Sequence, residues 1–239
     1  MTTNDDHAIT VVAGPAELGI VYDTLLAPNF PSRELITAEQ LQESVASGRG
    51  SVRIAGDPAT PLAAALVERI EGTPAVLLTY FATRADLRGR GVGSALLRRL
   101  LDDIAADDSI SVVLGEVEHP GHHESSAEHG DPTARLRFYG RLGGRILDVP
   151  YFQPPIAEGE DAVYAMLLLA LNPPERLVRD GRLIPEAGVA GGLEQLMSRV
   201  DADRFPVGPV LDAVRDPLGI RLYEAAEWEA VVVSRPFPA

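Results

Sequence analysis

The 239-residue chain contains no cysteine and no lysine; all 21 of its basic residues are arginine. Without cysteine there is no thiolate nucleophile, no disulfide framework and no cysteine-held metal or cluster. Any acyl transfer must therefore proceed without an enzyme thioester. Without lysine there is no Schiff base to pyridoxal phosphate, no Walker A loop and no kinase lysine. Basic charge is scarce as well: 21 arginines face 35 Asp and Glu, a formal charge of −14. That argues against nucleic acid as a partner, because neutralising phosphates needs a basic face. The acidic opening Met1-Thr2-Thr3-Asn4-Asp5-Asp6 is followed by no apolar leader, and the longest apolar run, Ala162 to Leu171, is too short for a bilayer. The expectation is a cytoplasmic protein with no membrane partner.

What is present is enough for a core, at 46% hydrophobic residues. Ile9 to Ala13 reads as a strand, and Pro15 to Leu26 and Thr37 to Ala46 read as helices. Three runs follow, Ser51 to Ala55, Leu62 to Ile70 and Ala75 to Thr83, separated by Gly56-Asp57-Pro58 and Glu71-Gly72-Thr73-Pro74. This is the pattern of an antiparallel meander. Val92, Leu96, Leu97, Leu100, Leu101 and Ile104 then mark one face of a helix. Ser111 to Glu118 reads as a strand, and Asp131-Pro132 caps a helix that Gly143-Gly144 ends. Arg145 to Phe152 and Ala162 to Leu171 are the last two strands. After Asn172, Pro173-Pro174 and several glycines punctuate weaker helical patterns. The expected partition is a catalytic domain over residues 1–172 and a C-terminal extension over 173–239. The extension's apolar stripe, Leu193, Leu196, Met197 and Val200, must be buried on the core or against a second copy of the chain.

The chemistry is carried by Arg88-Gly89-Arg90-Gly91-Val92-Gly93-Ser94, between a strand and a helix. Glycines turn the backbone so that its amides point outward, and the helix start adds partial positive charge, which suits a pyrophosphate. A dinucleotide-binding turn is the rival, but Ser94 stands where its last glycine belongs. Arg88-x-x-Gly91-x-Gly93 resembles the coenzyme A signature of the GNAT superfamily of acyl-CoA N-acyltransferases. Ala134-x-x-x-Phe138-Tyr139-x-x-x-Gly143 resembles the second signature of that family, at its proper place in the element order.

The resemblance implies a mixed α/β fold. Its centre would be a mostly antiparallel, seven-stranded sheet with splayed strands 4 and 5, flanked by helices, with a largely helical extension after it. It implies acetyl-CoA as donor, its pyrophosphate held by Arg88, Gly89, Arg90, Gly91, Val92, Gly93 and Ser94 and its pantetheine arm paired with Phe81, Ala82 and Thr83. Tyr139 matches the tyrosine that protonates the departing thiolate, although Leu136, Tyr139 and Leu142 also share core spacing. Asp131 and Gly144 depart from the asparagine and the aromatic residue usual in the family at those places.

An amine nucleophile must lose a proton before it attacks, so a carboxylate is expected nearby. Glu116 and Glu118 share one face of the fifth strand, where they are either bases or a solvated surface. Tyr80 is a further polar group for an acceptor cavity. His119, His122, His123 and His129 lie in a Gly- and Ser-rich stretch, read as a solvated loop without fixed geometry, so no metal site is expected. The activity implied is transfer of an acetyl group to a primary amine of a small molecule by direct attack. A noncatalytic acyl-CoA sensor or interaction protein and a protein N-terminal or side-chain acetyltransferase are the alternatives.

Overall fold

The computed structural model describes residues 7–125, 130–155, 161–198 and 200–236. The chain divides into two compact units, Met1–Glu68 with Leu78–Ala106, and Arg69–Leu77 with Asp107–Ala239.

The first unit holds β1 (Ile9–Val12), β2 (Gly50–Asp57), β3 (Thr60–Arg69, to Glu68) and the Leu78–Thr83 part of β4 (Ala75–Thr83), with β1 and β3 antiparallel to β2. The register of β2 and β3 shifts at Ala55/Gly56, a bulge next to the tight Asp57–Thr60 turn. Three helices accompany these strands: α1 (Pro15–Val21), α2 (Ala38–Ala46) and α3 (Val92–Ala105). Thr37 and Gln40 form a capping box at the start of α2. The apolar face of α3 is buried as its spacing requires, and on its outer side Arg99 meets Asp103 at 2.7 Å. Leu18, Leu25, Leu41, Ile54 and Leu66 form a core with Tyr80.

The helix expected over Pro15–Leu26 changes pitch at Tyr22. Tyr22–Leu26 is a π-helical turn in which the Ala27 amide donates to the Tyr22 carbonyl at 2.9 Å. The Thr24 hydroxyl contributes to this by donating to the Ile20 carbonyl at 2.6 Å.

In the second unit β4 contributes Ala75–Leu77, parallel to Val112–Leu114 of β5 (Val112–Glu118). The order then runs β5, β7 (Met166–Leu171), β6 (Arg145–Leu147), β10 (Ile220–Glu224), β9 (Arg182–Leu183) and β8 (Val178–Arg179), all antiparallel. Helices α4 (Pro132–Gly140), α5 (Val189–Met197) and α6 (Val207–Val214) complete it. Residues after 172 share one core with the strands before it: Leu193, Met197, Val210 and Val214 pack with Leu114, Val149, Tyr151 and Leu168.

The mixed α/β class stands, but ten strands are found among the described residues where seven were expected. The additional three lie in the segment read as largely helical. Asp180 and Gly181, at φ 51° and 72°, make the two-residue turn between β8 and β9. Positive φ at both central residues matches the twist of a hairpin, and Asp-Gly is the dipeptide suited to it. The last two expected strands are shorter than read. Beyond Leu147 the amides of Val149 and Tyr151 bond back two residues, at 2.8 and 2.7 Å, and Pro150 has none to offer. Ala165 sits at φ 52°, so β7 starts at Met166 rather than Ala162.

Candidate functional site

The first unit carries the glycine-rich turn. A short 3-10 turn, Ala85–Leu87, leads from β4 to Arg88, and α3 starts after Gly91, whose φ of 90° favours glycine. No side chain caps Gly91, no acid lies in the first turn of α3, and the first helical bond runs from the Ala95 amide to the Gly91 carbonyl at 2.9 Å. The start of this 14-residue helix therefore keeps its partial positive charge for a ligand. Gly93 allows a close approach: a Cβ there would meet Thr83 Oγ1 at 2.7 Å and Phe81 Cζ at 3.2 Å.

Alternation along β4 explains this pairing. Ala82 points into the core, while Phe81 and Thr83 stand on the opposite face, against α3. Arg84 forks onto Asp86 at 2.7 and 3.0 Å and holds that carboxyl below its ordinary range. Arg88 and Arg90 are exposed. A guanidinium nitrogen of Arg88 donates to the Asn29 side-chain oxygen, and the Asn29 amide group donates in turn to the Leu25 carbonyl at 2.6 Å. An uncapped helix start flanked by two arginines and floored by glycine fits a diphosphate.

Tyr80, by contrast, is a core residue. Its hydroxyl donates to the Glu34 carbonyl at 2.8 Å, accepts from the Ile36 amide at 3.1 Å, and its ring meets Phe30 edge-on.

The second unit carries the carboxylates and Tyr139. Asp131 caps α4 by accepting from the Thr133 amide at 2.9 Å, with Pro132 at the first helical position. Tyr139 is buried on α4, and burial pushes its phenol up to about 12 against the opposing pull of Arg135. It keeps its proton at neutral pH and can donate it. The Tyr139 carbonyl accepts from the Leu142 and Gly144 amides. A Cβ at 144 would lie 2.9 Å from that carbonyl, which accounts for glycine where the family usually has an aromatic residue.

Glu116 and Glu118 share a strand face but not an environment. The Tyr151 hydroxyl donates to Glu116 Oε1 at 2.5 Å. Burial raises the Glu116 carboxyl above its ordinary value, the Tyr151 bond pulls the other way, and Tyr151 itself is pushed well above 10. Glu118 instead pairs with Arg135 at 3.3 Å and lies 3.8 Å from His123 Nδ1.

His119 and His123 have fixed partners, contrary to the reading of the stretch as a solvated loop, while His122 is exposed as that reading expects. His119 is buried; its amide donates to the Ala165 carbonyl at 3.0 Å and its Nδ1 accepts from the Gly121 amide at 3.1 Å. Its ring stands edge-on to Trp228 at 5.1 Å and to His122 at 4.9 Å. Burial, with His122 beside it, holds the imidazole below its ordinary value. The Nε2 of His123 donates to the Tyr164 carbonyl at 2.9 Å. His129 lies outside the described residues. The cover over His119 comes from a residue more than a hundred positions away, which local composition does not show. Tyr151 and Asn29 were likewise missed. For Tyr151 the signal was its place in a proline-flanked stretch, 150–155, that an unbroken strand could not accommodate.

No protein-family model and no curated protein matches the chain. Solved structures do. A protein described as a GNAT-family acetyltransferase from Bacteroides thetaiotaomicron superposes with a TM-score of 0.60 at 22% identity, over 81% of this chain and 99% of that one. A GNAT-like decarboxylase, GphF, in complex with isobutyryl-CoA superposes with a TM-score of 0.50 at 18% identity, over 69% of this chain and 98% of that one. The chain has the GNAT fold.

Proposed function

We propose that this protein is a GNAT-type N-acyltransferase that moves an acetyl group from acetyl-CoA to a primary amine of a small molecule by direct attack. The observation that carries the reading is the start of α3: an uncapped helix terminus entered through Gly91 in the left-handed region, with Arg88 and Arg90 beside it and Phe81 and Thr83 against Gly93. The isobutyryl-CoA held by a neighbour of the same fold supports an acyl-CoA donor.

In this reading residues 88–94 hold the pyrophosphate through backbone amides, and Phe81, Ala82 and Thr83 offer backbone groups to the pantetheine arm. The donor supplies the thioester carbonyl that the amine attacks. Glu116 takes the proton that the ammonium must shed, its raised affinity for protons matching it to that task better than an exposed carboxylate. Glu118, committed to Arg135, is the second candidate, acting through electrostatics on the incoming cation. Tyr139 returns a proton to the leaving sulfur. The net acidity of the chain favours a cationic acceptor.

The test is an amine library with acetyl-CoA, read by release of free thiol; the protein has no thiol of its own, so all signal comes from coenzyme A. Turnover with at least one amine, and calorimetric binding of coenzyme A that Gly93→Glu abolishes, are expected. Unchanged binding in Gly93→Glu would remove the donor site from α3. Binding without turnover on any amine would leave an acyl-CoA sensor.

A further inference from the structure

The end of β5 is tied down by a residue far beyond it in sequence. Ser234 is buried; its hydroxyl donates to the Tyr151 carbonyl at 2.6 Å and accepts from the Ala165 amide at 3.0 Å. Both partners lie in irregular backbone. Tyr151 ends the pair of back-bonded turns after β6, and Ala165 sits at φ 52°, a conformation that a non-glycine residue keeps only where its surroundings hold it. The Ala165 carbonyl in turn accepts from the His119 amide, one residue past Glu118. One hydroxyl thus joins the approach to β7, the end of β5 and the backbone of Tyr151. Tyr151 is fully buried, and its phenol reaches Glu116 Oε1 at 2.5 Å.

We propose that Ser234 and Tyr151 are positioning residues for Glu116: Ser234 fixes the Tyr151 backbone, and the Tyr151 phenol holds the Glu116 carboxylate in one orientation, leaving Oε2 to receive a proton. Glu116's role as base rests on the function proposed above; the positioning does not. A half-buried carboxylate free to rotate would present its lone pairs in no fixed direction, and one without a donor would favour its neutral form more strongly. The phenol prevents the first and offsets part of the second. A segment placed more than a hundred residues after β5 thereby shapes the chemistry of that strand. The other charged or titratable groups on elements packed against β5 in this unit are Arg135, Tyr139 and the exposed Arg137 of α4, with Glu118 on β5 itself and His123 after it; Met166–Leu171 of β7 and Ala75–Leu77 of β4 bring only apolar side chains.

The experiment titrates the Glu116 carboxyl by NMR in full-length protein carrying carboxyl-labelled glutamate, with the signal assigned by its loss in Glu116→Gln. Tyr151→Phe keeps the volume and removes the donor, so the midpoint rises by about one to two pH units, the scale of one hydrogen bond to a charged group. Ser234→Ala gives part of that rise and Ser234→Thr, which keeps the hydroxyl, restores the parent value. An unmoved midpoint in Tyr151→Phe overturns the proposal, and so does one in folded Ser234→Ala for the role of Ser234. Should Ser234→Ala fail to fold, the comparison of Ser234→Thr with Tyr151→Phe decides: a parent-like midpoint in the first and a raised one in the second is the supporting pattern. The acid limb of kcat/KM is followed in parallel. A shifted midpoint with an unshifted limb keeps the positioning and overturns Glu116 as the base, so the two failures are distinguishable.

Discussion

Substituting Gly93 by alanine opposes two effects of known size. Gly93 lies inside α3, where alanine is favoured over glycine by about 1 kcal/mol, so propensity alone raises stability. The added Cβ, however, lies 2.7 Å from Thr83 Oγ1 and 3.2 Å from Phe81 Cζ. Contacts this short force either the Thr83 rotamer or the spacing of α3 and β4 to yield, and overpacking of this kind costs about 1–3 kcal/mol. Overpacking wins, with a net loss of about 1 kcal/mol, which in a chain of this size lowers Tm by about 2–4 °C. Coenzyme A affinity falls with it, because Phe81 to Thr83 and the start of α3 are the parts displaced. Removing the obstructing oxygen with Thr83→Ala in the Gly93→Ala background recovers much of the loss, and the cycle of single and double variants isolates the contact. Thermal melts and calorimetry with coenzyme A supply the readings. A Gly93→Ala variant with a raised Tm would refute the reasoning, since it would show that helix propensity rather than the contact with β4 decides this position.

Tyr139→Phe lowers turnover by about a hundredfold or more with acetyl-CoA affinity little changed, the usual scale for losing a proton donor; unchanged turnover would reduce Tyr139 to a packing residue. Burial holds the Glu116 carboxyl above 4.5, so the folded protein keeps a proton that the unfolded chain has released. Relative to Glu116→Gln, wild-type stability therefore falls as pH climbs from 4.5 through the raised value, and urea midpoints of the pair across that range check it; a constant difference argues against a carboxyl shifted by desolvation. His119 is shifted the opposite way, below 6.5, so its contribution is present above 6.5 and is lost as pH falls through the lowered value. Trp228 is the only tryptophan and faces His119, so its fluorescence changes in that acid range in the parent and not in His119→Gln. Truncation after Asn172 removes Leu193, Met197, Val210 and Val214 from a core they share with Leu114 and Leu168, and light scattering is expected to show aggregation; a soluble, equally stable fragment would contradict the shared core.

Local signals sufficed where an element is specified by its own residues. The apolar face of α3, the capping of α4 by Asp131-Pro132, the strand Ala75–Thr83 and the turn Gly89-Arg90-Gly91 were all legible, because helix and strand periodicity, caps and glycine turns are short-range chemistry. The Asp180-Gly181 hairpin belonged to the same class and was obscured by the helical spacing that follows it. Absences were equally decisive: no cysteine and no lysine removed whole classes of mechanism before any fold was considered.

Tertiary structure alone decided what surrounds each of two look-alike residues. Glu116 and Glu118 are indistinguishable by spacing and both are half-buried, yet one accepts a hydrogen bond from Tyr151 and the other pairs with Arg135, since each partner arrives from a separate element. Tyr80 reads like a cavity residue and is spent on Glu34 and Ile36. His119 reads like a loop residue and is enclosed by Trp228, while Ser234 carries no local signal at all and ties together Tyr151 and Ala165. The physical reason is common to all four. Periodicity records which face of its own element a side chain occupies, whereas burial, proton affinity and hydrogen-bond partners depend on groups that only the folded chain brings within three ångströms or so of one another.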